Sequence, residues 1–180
     1  MSSNAFHISP ATEADIPDIL RLILELAIYE KSAESAKATP EQIRRNLFPK
    51  ESDGEIYARC LIARLDNDQD GNEGTGKGLV IGMALFFFNF STWTGFPGLY
   101  LEDLFVSEPY RALGVGKSFF KELAKVALER GCGRMDWSVL DWNEPAINFY
   151  EKKVGATIMN EWRSVRLEGE DAIRGLLTMS

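Results

Sequence analysis

The sequence predicts a mixed α/β domain, and three observations predict it. Apolar residues recur at helical spacing in some stretches and in short β-forming runs in others. One strand-turn-helix unit stands near the middle of the chain. A chain of 180 residues, 45% hydrophobic and 11% aromatic, can bury one substantial core and is too rich in large side chains for disorder. One domain over residues 1–180 is the expectation.

The elements follow in order. His7 and Ile8 open a short strand, and Thr12 begins a capping box with Asp15 in the place usually held by Glu. Ile16, Ile19, Leu20, Ile23 and Ala27 then keep helical spacing to about Glu30. A second helix starts at Thr39-Pro40-Glu41-Gln42, a hydroxyl cap with proline in the first turn and Gln in the box position; Ile43 and Leu47 supply its inner face. Residues 57–65 are rich in β-formers, 79–90 are apolar enough for a strand buried on both faces, and 99–106 make a third strand. The turn at 107–116 leads to a helix with the stripe Phe119, Phe120, Leu123, Val126 and Ala127, stopped by Gly131 and Gly133. A strand at 134–140, a cap and first turn at Asn143-Glu144-Pro145, a short helix at 146–152 and one or two closing strands within 155–167 complete the chain. Residues 66–78 lack large apolar side chains and read as a mobile surface loop.

Charge narrows the function classes. With 27 acidic against 20 basic residues and a net charge of -7, the average surface repels a polyanion, which argues against nucleic acid and leaves a cationic small molecule open. Cys60 and Cys132 lack metal-site spacing and read as free thiols in a reducing compartment, and no metal is expected. No basic-then-apolar leader opens the chain, and its longest apolar stretch, 79–88, falls well short of the ~20 residues that span a bilayer. The expectation is a cytoplasmic protein without a membrane partner.

Two motifs fail on chemistry. Asp66-x-Asp68-x-Asp70-Gly71 begins like a calcium loop, but Lys77 would stand where the metal needs a bidentate carboxylate. Gly71-x4-Gly76-Lys77 ends in Gly78 instead of a hydroxyl, and Gly116-Lys117-Ser118 carries Arg111 where a phosphate loop needs its first glycine. What remains is a strand ending at Leu104-Phe105-Val106, the turn Arg111-Ala112-Leu113-Gly114-Val115-Gly116, and a helix. Successive amides and a helix N-terminus make an anion site there, and Arg111 and Lys117 add formal charge, which suits a pyrophosphate.

Arg-x-x-Gly-x-Gly after a strand resembles the acetyl-CoA pyrophosphate loop of the GCN5-related N-acetyltransferases (GNAT). Leu99-Tyr100-Leu101-Glu102-Asp103 before it, Asp141-Trp142-Asn143 after it and Asn148-Phe149-Tyr150 on the next helix strengthen the likeness. With Ile19-Leu20-Arg21-Leu22-Ile23 and Tyr29-Glu30, the chain resembles the spermidine/spermine N-acetyltransferase group along nearly its whole length. Ser91-Thr92-Trp93 and Val139-Leu140-Asp141-Trp142-Asn143 look more like the thialysine Nε-acetyltransferases within it.

The resemblance implies a GNAT fold, a central, mostly antiparallel twisted sheet flanked by helices with strands splayed at the acetyl-CoA site. It implies acetyl-CoA as co-substrate, a homodimer, and acetyl transfer to a primary amine of a small cationic metabolite. A thialysine- or lysine-like amino acid is favoured over a polyamine such as spermidine or spermine. Leu104, Phe105 and Val106 would pair with the pantetheine arm and supply an amide to the oxyanion. Arg111, Ala112, Leu113, Gly114, Val115, Gly116 and Lys117 would hold the pyrophosphate, and Asn143 and Ala146 would touch the arm. A substrate ammonium of pKa near ~10 must lose a proton before it attacks, with Glu102 the matching base, and Tyr150 would return a proton to the leaving thiolate. Asp103 should point to the opposite face of the strand from Glu102 if pairing is regular. Tyr29, Glu30, Trp93, Asp103 and Glu161 would form an acidic and aromatic amine pocket.

The sequence departs from the group's pattern at Ala112, where many relatives carry Gly. Four residues separate Tyr150 from Gly155 where three are usual, and no Gly separates Glu161 from Trp162. These departures bear on the amine more than on the acyl donor. A non-catalytic acyl-CoA binding module and a nucleotide-phosphate binder built on Gly116-Lys117-Ser118 are the competing classes.

Overall fold

The computed structural model describes residues 6–50, 54–66 and 78–179. Its strands are β1 (Phe6–Pro10), β2 (Arg59–Leu65), β3 (Val80–Ser91), β4 (Phe96–Val106) and β5 (Arg134–Trp137), and they lie in chain order in one sheet. The first four are antiparallel, and β5 joins β4 in parallel. The helices are α1 (Ile16–Tyr29), α2 (Pro40–Leu47), α3 (Val115–Glu129), α4 (Glu144–Phe149) and α5 (Glu170–Gly175). By contact the chain divides into two compact units, Met1–Leu140 and Asp141–Ser180. The expected loop at 66–78 lies, except for its end residues, outside the described residues.

Most helix and strand limits follow the local signals. The Thr12 and Thr39 boxes close as expected: the Thr12 amide donates to Asp15 Oδ2 at 2.7 Å, and Thr39 and Gln42 exchange bonds. β4 begins three residues before the expected 99 because the hairpin ladder continues to Ser91↔Phe96. The expected closing strands within 155–167 are absent: no described residue there is in a strand, and none pairs with a neighbouring strand. Alternating side chains make a strand only where a partner completes its backbone hydrogen bonds. The short helix α5, which no cap or stripe announces, comes after this stretch.

In the first unit the sheet carries a helical layer on each face. Ile16, Ile19 and Leu22 of α1 and Ile43 of α2 pack with Cys60, Ile62, Val80, Met83 and Phe105. Gly82 neighbours Met83 and therefore faces the other way, toward α3. A Cβ on Gly82 would lie 2.8 Å from the Phe105 carbonyl oxygen and 3.3 Å from the Phe119 ring, so glycine is what lets α3 seat this closely. Phe120 meets Trp137 edge-on at 5.2 Å, which ties α3 to β5. Arg64 joins β2 to the start of α1 through Asp15 at 2.6 Å, both side chains largely buried.

One irregularity matters for function. The β3–β4 register runs Leu85↔Asp103 and then Phe86↔Leu101, so Glu102 is an extra residue without a cross-strand partner. Phe87 pairs with Tyr100 and their rings stack at 5.0 Å, while Leu85, on the same face of β3, pairs with Asp103. Tyr100 and Asp103 therefore share the α1 face, which regular alternation forbids. Before the bulge Leu99 and Leu101 share the Phe86 and Phe88 face; after it Asp103 and Phe105 point toward α1.

In the second unit, Asn143 caps α4 by accepting from the Ala146 amide, and α4 passes at Tyr150 into a π turn, Tyr150–Val154, ended by Gly155 in the left-handed region. The Gly155 amide reaches back to the Tyr150 carbonyl, so the four residues between them fit as one wide turn. No helix among the described residues is long and apolar enough to cross a membrane.

Phe119 is 0% exposed and holds α3 to the sheet. Phe119→Ala should cost about 3–5 kcal/mol of unfolding free energy, read from the urea midpoint at constant slope.

Candidate active site

The turn after β4 is positioned from beneath by α1. Arg21 bonds Asp18 at 3.0 Å, Glu25 at 2.6 Å and the Val80 carbonyl at 2.7 Å, and the Ser107 hydroxyl donates to the other Glu25 oxygen at 2.6 Å. Ser107 is buried, and its amide bonds the Ile81 carbonyl at 2.9 Å. A helix face and two strands thus fix the residue from which the turn departs. The Arg21–Glu25 pair is visible in the sequence as an i,i+4 contact, but its reach to Ser107, on the far side of the sheet sequence, is not.

From Ser107 the chain makes a 3-10 turn, Glu108–Leu113, and Gly114 at φ 79° swings it into α3. The left-handed value favours glycine there. The first helical bond of α3 runs from the Ser118 amide to the Gly114 carbonyl, so the amides of Val115, Gly116 and Lys117 precede the ladder at the positive end of a 15-residue helix. Ala112, Leu113 and Lys117 are exposed around them. Arg111 donates through Nε to the Val106 carbonyl at 3.0 Å, and its guanidinium lies 4.7 Å from the Tyr29 ring and 5.5 Å from the Phe105 ring. Tyr29, expected in an amine pocket, thus supports the arginine of the anion turn.

Leu104, Phe105 and Val106 pair with β3, but the β4–β5 ladder ends at Leu101↔Trp137. Residues 102–106 run on past that ladder, which is the splay expected of this sheet. At this end of β4 the charge reverses. Asp103 is half-buried, with Glu102 beside it on the strand and Glu30 at the end of α1. Burial, then Glu102, then Glu30 push its carboxyl up to about 6. Burial also raises the Glu30 carboxyl. Cys60, in register with Leu85 and hence with Asp103, is pushed up to about 12 by burial, Asp103 and Asp15, which leaves it an unreactive thiol.

The first unit therefore brings Tyr29, Glu30, Glu102, Asp103, the 104–106 edge and the 111–117 turn to one end of β4. Trp93 is not among them: it stands 86% exposed in the β3–β4 hairpin, beyond the start of β4 at Phe96, which is seven residues or about 23 Å of strand from Asp103. In the second unit Asn143 and Tyr150 are buried, Ala146 sits in the first turn of α4, and Glu161 is exposed in a turn. A buried phenol at the start of the π turn and a buried cap place two candidates on one short stretch of backbone.

The chain is similar to known acetyltransferases. Residues 25–156 match the acetyltransferase (GNAT) family. A thialysine N-epsilon-acetyltransferase of Mus musculus is 39% identical over 166 residues, covering 91% of this chain and 92% of that protein. An L-ornithine N5-acetyltransferase of Arabidopsis thaliana is 31% identical, with 92% and 85% covered. A spermidine/spermine N(1)-acetyltransferase-like protein of Homo sapiens is 33% identical over 96% of this chain but only 24% of its own length. Among solved structures, an integron cassette protein from the mobile metagenome of V. cholerae has a TM-score of 0.71 at 25% identity, covering 98% of this chain and all 100% of that one.

The raised Asp103 carboxyl carries a consequence for stability. A folded value of about 6 against 3.8 for a free carboxyl means that the folded state binds the proton more tightly. The resulting stabilisation is full below the free value and lost as pH rises through about 6. Asp103→Asn, which never ionises, should therefore be more stable than the parent at pH 8, by at most about 3 kcal/mol and by less where solvent screens the half-buried carboxylate, with the difference fading toward pH 4, in paired urea titrations.

Proposed function

The chain belongs to the acetyltransferase (GNAT) family, and from that premise we propose that it acetylates the primary amine of a small cationic amino acid of the thialysine or lysine kind. It is an acetyl-CoA-dependent amine N-acetyltransferase. The observation that carries the substrate reading is the reversal of charge along one strand. Glu30, Glu102 and Asp103 meet a cation at the bulge, while Arg111 and the amides of Val115, Gly116 and Lys117 suit a pyrophosphate just past the strand end. Thialysine acetyltransferases matching most of both chains favour the amino acid over a polyamine, which is the second reading through the spermidine/spermine-like relative.

Each residue then has a task. The 104–106 edge, beyond the β4–β5 ladder, offers backbone to the pantetheine amides in the manner of an added strand. Arg111 and Lys117 neutralise phosphate charge, and the residues Ala112, Leu113 and Gly114 shape the turn that aims the helix amides. Asn143 and Ala146 present the capped first turn of α4 to the arm. Acetyl-CoA supplies an activated acyl carbon and a thiolate leaving group. Glu102 takes the proton of the ammonium, Asp103 beside it holds the cation, and the Tyr150 hydroxyl protonates the departing sulfur. By resemblance Glu161 is a candidate amine-pocket residue, whereas Trp93 stands apart from the carboxylates at the hairpin end of β4, and Tyr29 serves the site through Arg111.

We further propose a homodimer in a reducing, cytoplasmic setting. Met159, Trp162, Val165, Leu167, Ile173 and Leu177 are all exposed, a concentration of apolar surface that a second copy would cover. Both cysteines are free.

Two measurements test these readings. Purified protein with acetyl-CoA should release free thiol with thialysine or lysine faster than with spermidine, and Tyr150→Phe should lower kcat by about 100-fold or more at nearly unchanged acetyl-CoA affinity. Equal turnover of all amines would remove the amino-acid preference, and an unaltered Tyr150→Phe rate would remove Tyr150. In sedimentation equilibrium the chain should run at twice its 20.2 kDa mass, and a monomer at micromolar concentration would remove the dimer.

A further inference from the structure

We propose that Glu25 of α1 is a positioning residue for the acyl donor: through Ser107 it holds the turn after β4 in the shape that receives the pyrophosphate of acetyl-CoA. The assignment rests on the pyrophosphate reading of that turn given above and adds to it a side chain that acts through another. Arg21, Glu25 and Tyr29 stand four residues apart and therefore line one face of α1. Ser107 and Arg111 are likewise four apart at the start of the turn. The two series meet rung on rung. Arg21 donates to the Val80 carbonyl at 2.7 Å, Glu25 accepts from the Ser107 hydroxyl at 2.6 Å, and the Tyr29 ring lies 4.7 Å from the Arg111 guanidinium. One stripe of one helix thus meets the first residue of β3, the residue after β4 and the arginine of the turn in succession.

Glu25 joins the two halves of this ladder. Its Oε1 accepts from Arg21 at 2.6 Å and its Oε2 from Ser107 at 2.6 Å, so each oxygen has its own donor. Arg21 is held in turn by Asp18 at 3.0 Å and by the Val80 carbonyl. An Arg–Glu pair four residues apart on a helix contributes little by itself. The bond to Ser107 is what ties this one to the turn, and a hydroxyl bound to a carboxylate is held more strongly than one bound to a neutral oxygen.

Ser107 is where a rotation would do most harm. It is buried, its amide donates to the Ile81 carbonyl at 2.9 Å, and its carbonyl accepts from the Tyr110 amide at 2.9 Å. The 3-10 turn Glu108–Leu113 departs from it and hands the chain through Gly114 to α3. Any shift at Ser107 is therefore carried to Arg111 and to the amides of Val115, Gly116 and Lys117. An anion site made of backbone amides works only while those amides converge on one point. Removing Glu25 leaves the buried hydroxyl without its acceptor and Arg21 without one of its carboxylates, and the turn is then free to move toward other partners.

The test compares two donors: acetyl-CoA, and S-acetylpantetheine, which carries the thioester and the arm without the pyrophosphate. The parent should require at least about 10-fold more S-acetylpantetheine for half-maximal rate, because the turn has no phosphate to hold. Glu25→Ala should raise KM for acetyl-CoA about 10-fold, with kcat and the KM for the amine changed less than about 2-fold, and should leave kcat/KM for S-acetylpantetheine unaltered. Glu25→Gln, which keeps one acceptor oxygen, should fall between. Ser107→Ala should raise KM for acetyl-CoA by a similar factor, and the double variant should be no worse than either single one, since both remove the same link. Urea midpoints check folding; if Glu25→Ala does not fold, Glu25→Gln and Ser107→Ala carry the same comparison. An unchanged KM for acetyl-CoA, an equal loss on both donors, or additive effects in the double variant overturns the role of Glu25 and leaves the acetyltransferase intact. A parent that uses both donors at the same concentration overturns the pyrophosphate reading of the turn and this assignment with it. A parent that releases no thiol with any amine overturns the acetyl-transfer reading alone, and calorimetry with CoA and pantetheine then decides the role of Glu25 in binding.

Discussion

The structure turns on one extra residue in β4. A regular strand offers alternate side chains to its two faces, so a strand between two helical layers must keep one phase throughout. By inserting Glu102 opposite no partner, β4 changes phase midway: Leu99 and Leu101 share a face with Phe86 and Phe88, and Asp103 and Phe105 then turn toward α1. The change falls where the ladder to β5 stops at Leu101↔Trp137. Beyond it β4 has only one neighbouring strand, and the residues from there to the anion turn are the ones left to meet ligands. A bulge bends and twists the strand that carries it, and here it coincides with the divergence of β5 from β4.

Two charge environments of opposite sign flank the end of this strand. The basic one is built outward from the core: Arg21 and Glu25 anchor Ser107 against α1 and the Val80 carbonyl, and the turn, Gly114 and α3 follow from that fixed point. Arg111 reaches back over Phe105 and Tyr29, so the side chain that meets an anion is held by two rings and a backbone carbonyl. The acidic side is costly by itself, because Asp103 loses water without gaining a cation. The layer of Ile16, Ile19, Leu22, Met83 and Phe105 offsets that cost through apolar burial. Stability given up at a ligand site in this way is a familiar property of enzymes.

The elements set by local chemistry were legible in the chain. Thr12, Thr39 and Asn143 cap helices, Gly114 turns the chain into α3, and the stripe through Phe119 and Leu123 is buried, each because the interaction involved spans only a few residues. The closing strands within 155–167 were not legible, because alternation identifies a strand only when another strand is present to pair with it. The four residues after Tyr150, a departure in the sequence, become a π turn, a choice between hydrogen-bond spacings that side-chain pattern does not encode.

By itself the sequence determined the alternation of strands and helices, the glycine-punctuated turn between two basic residues, and the motifs of an acetyltransferase. All of these depend on residues close together in the chain. Only the tertiary structure decided that Glu102 and Asp103 occupy different environments, that Tyr29 lies under Arg111, and that Trp93 stands at the far end of β4 from the carboxylates. Those outcomes hang on the register of β4 against β3 and on where α1 crosses the sheet. Two adjacent acidic letters carry the same weight in a sequence; burial and the phase of one strand separate them.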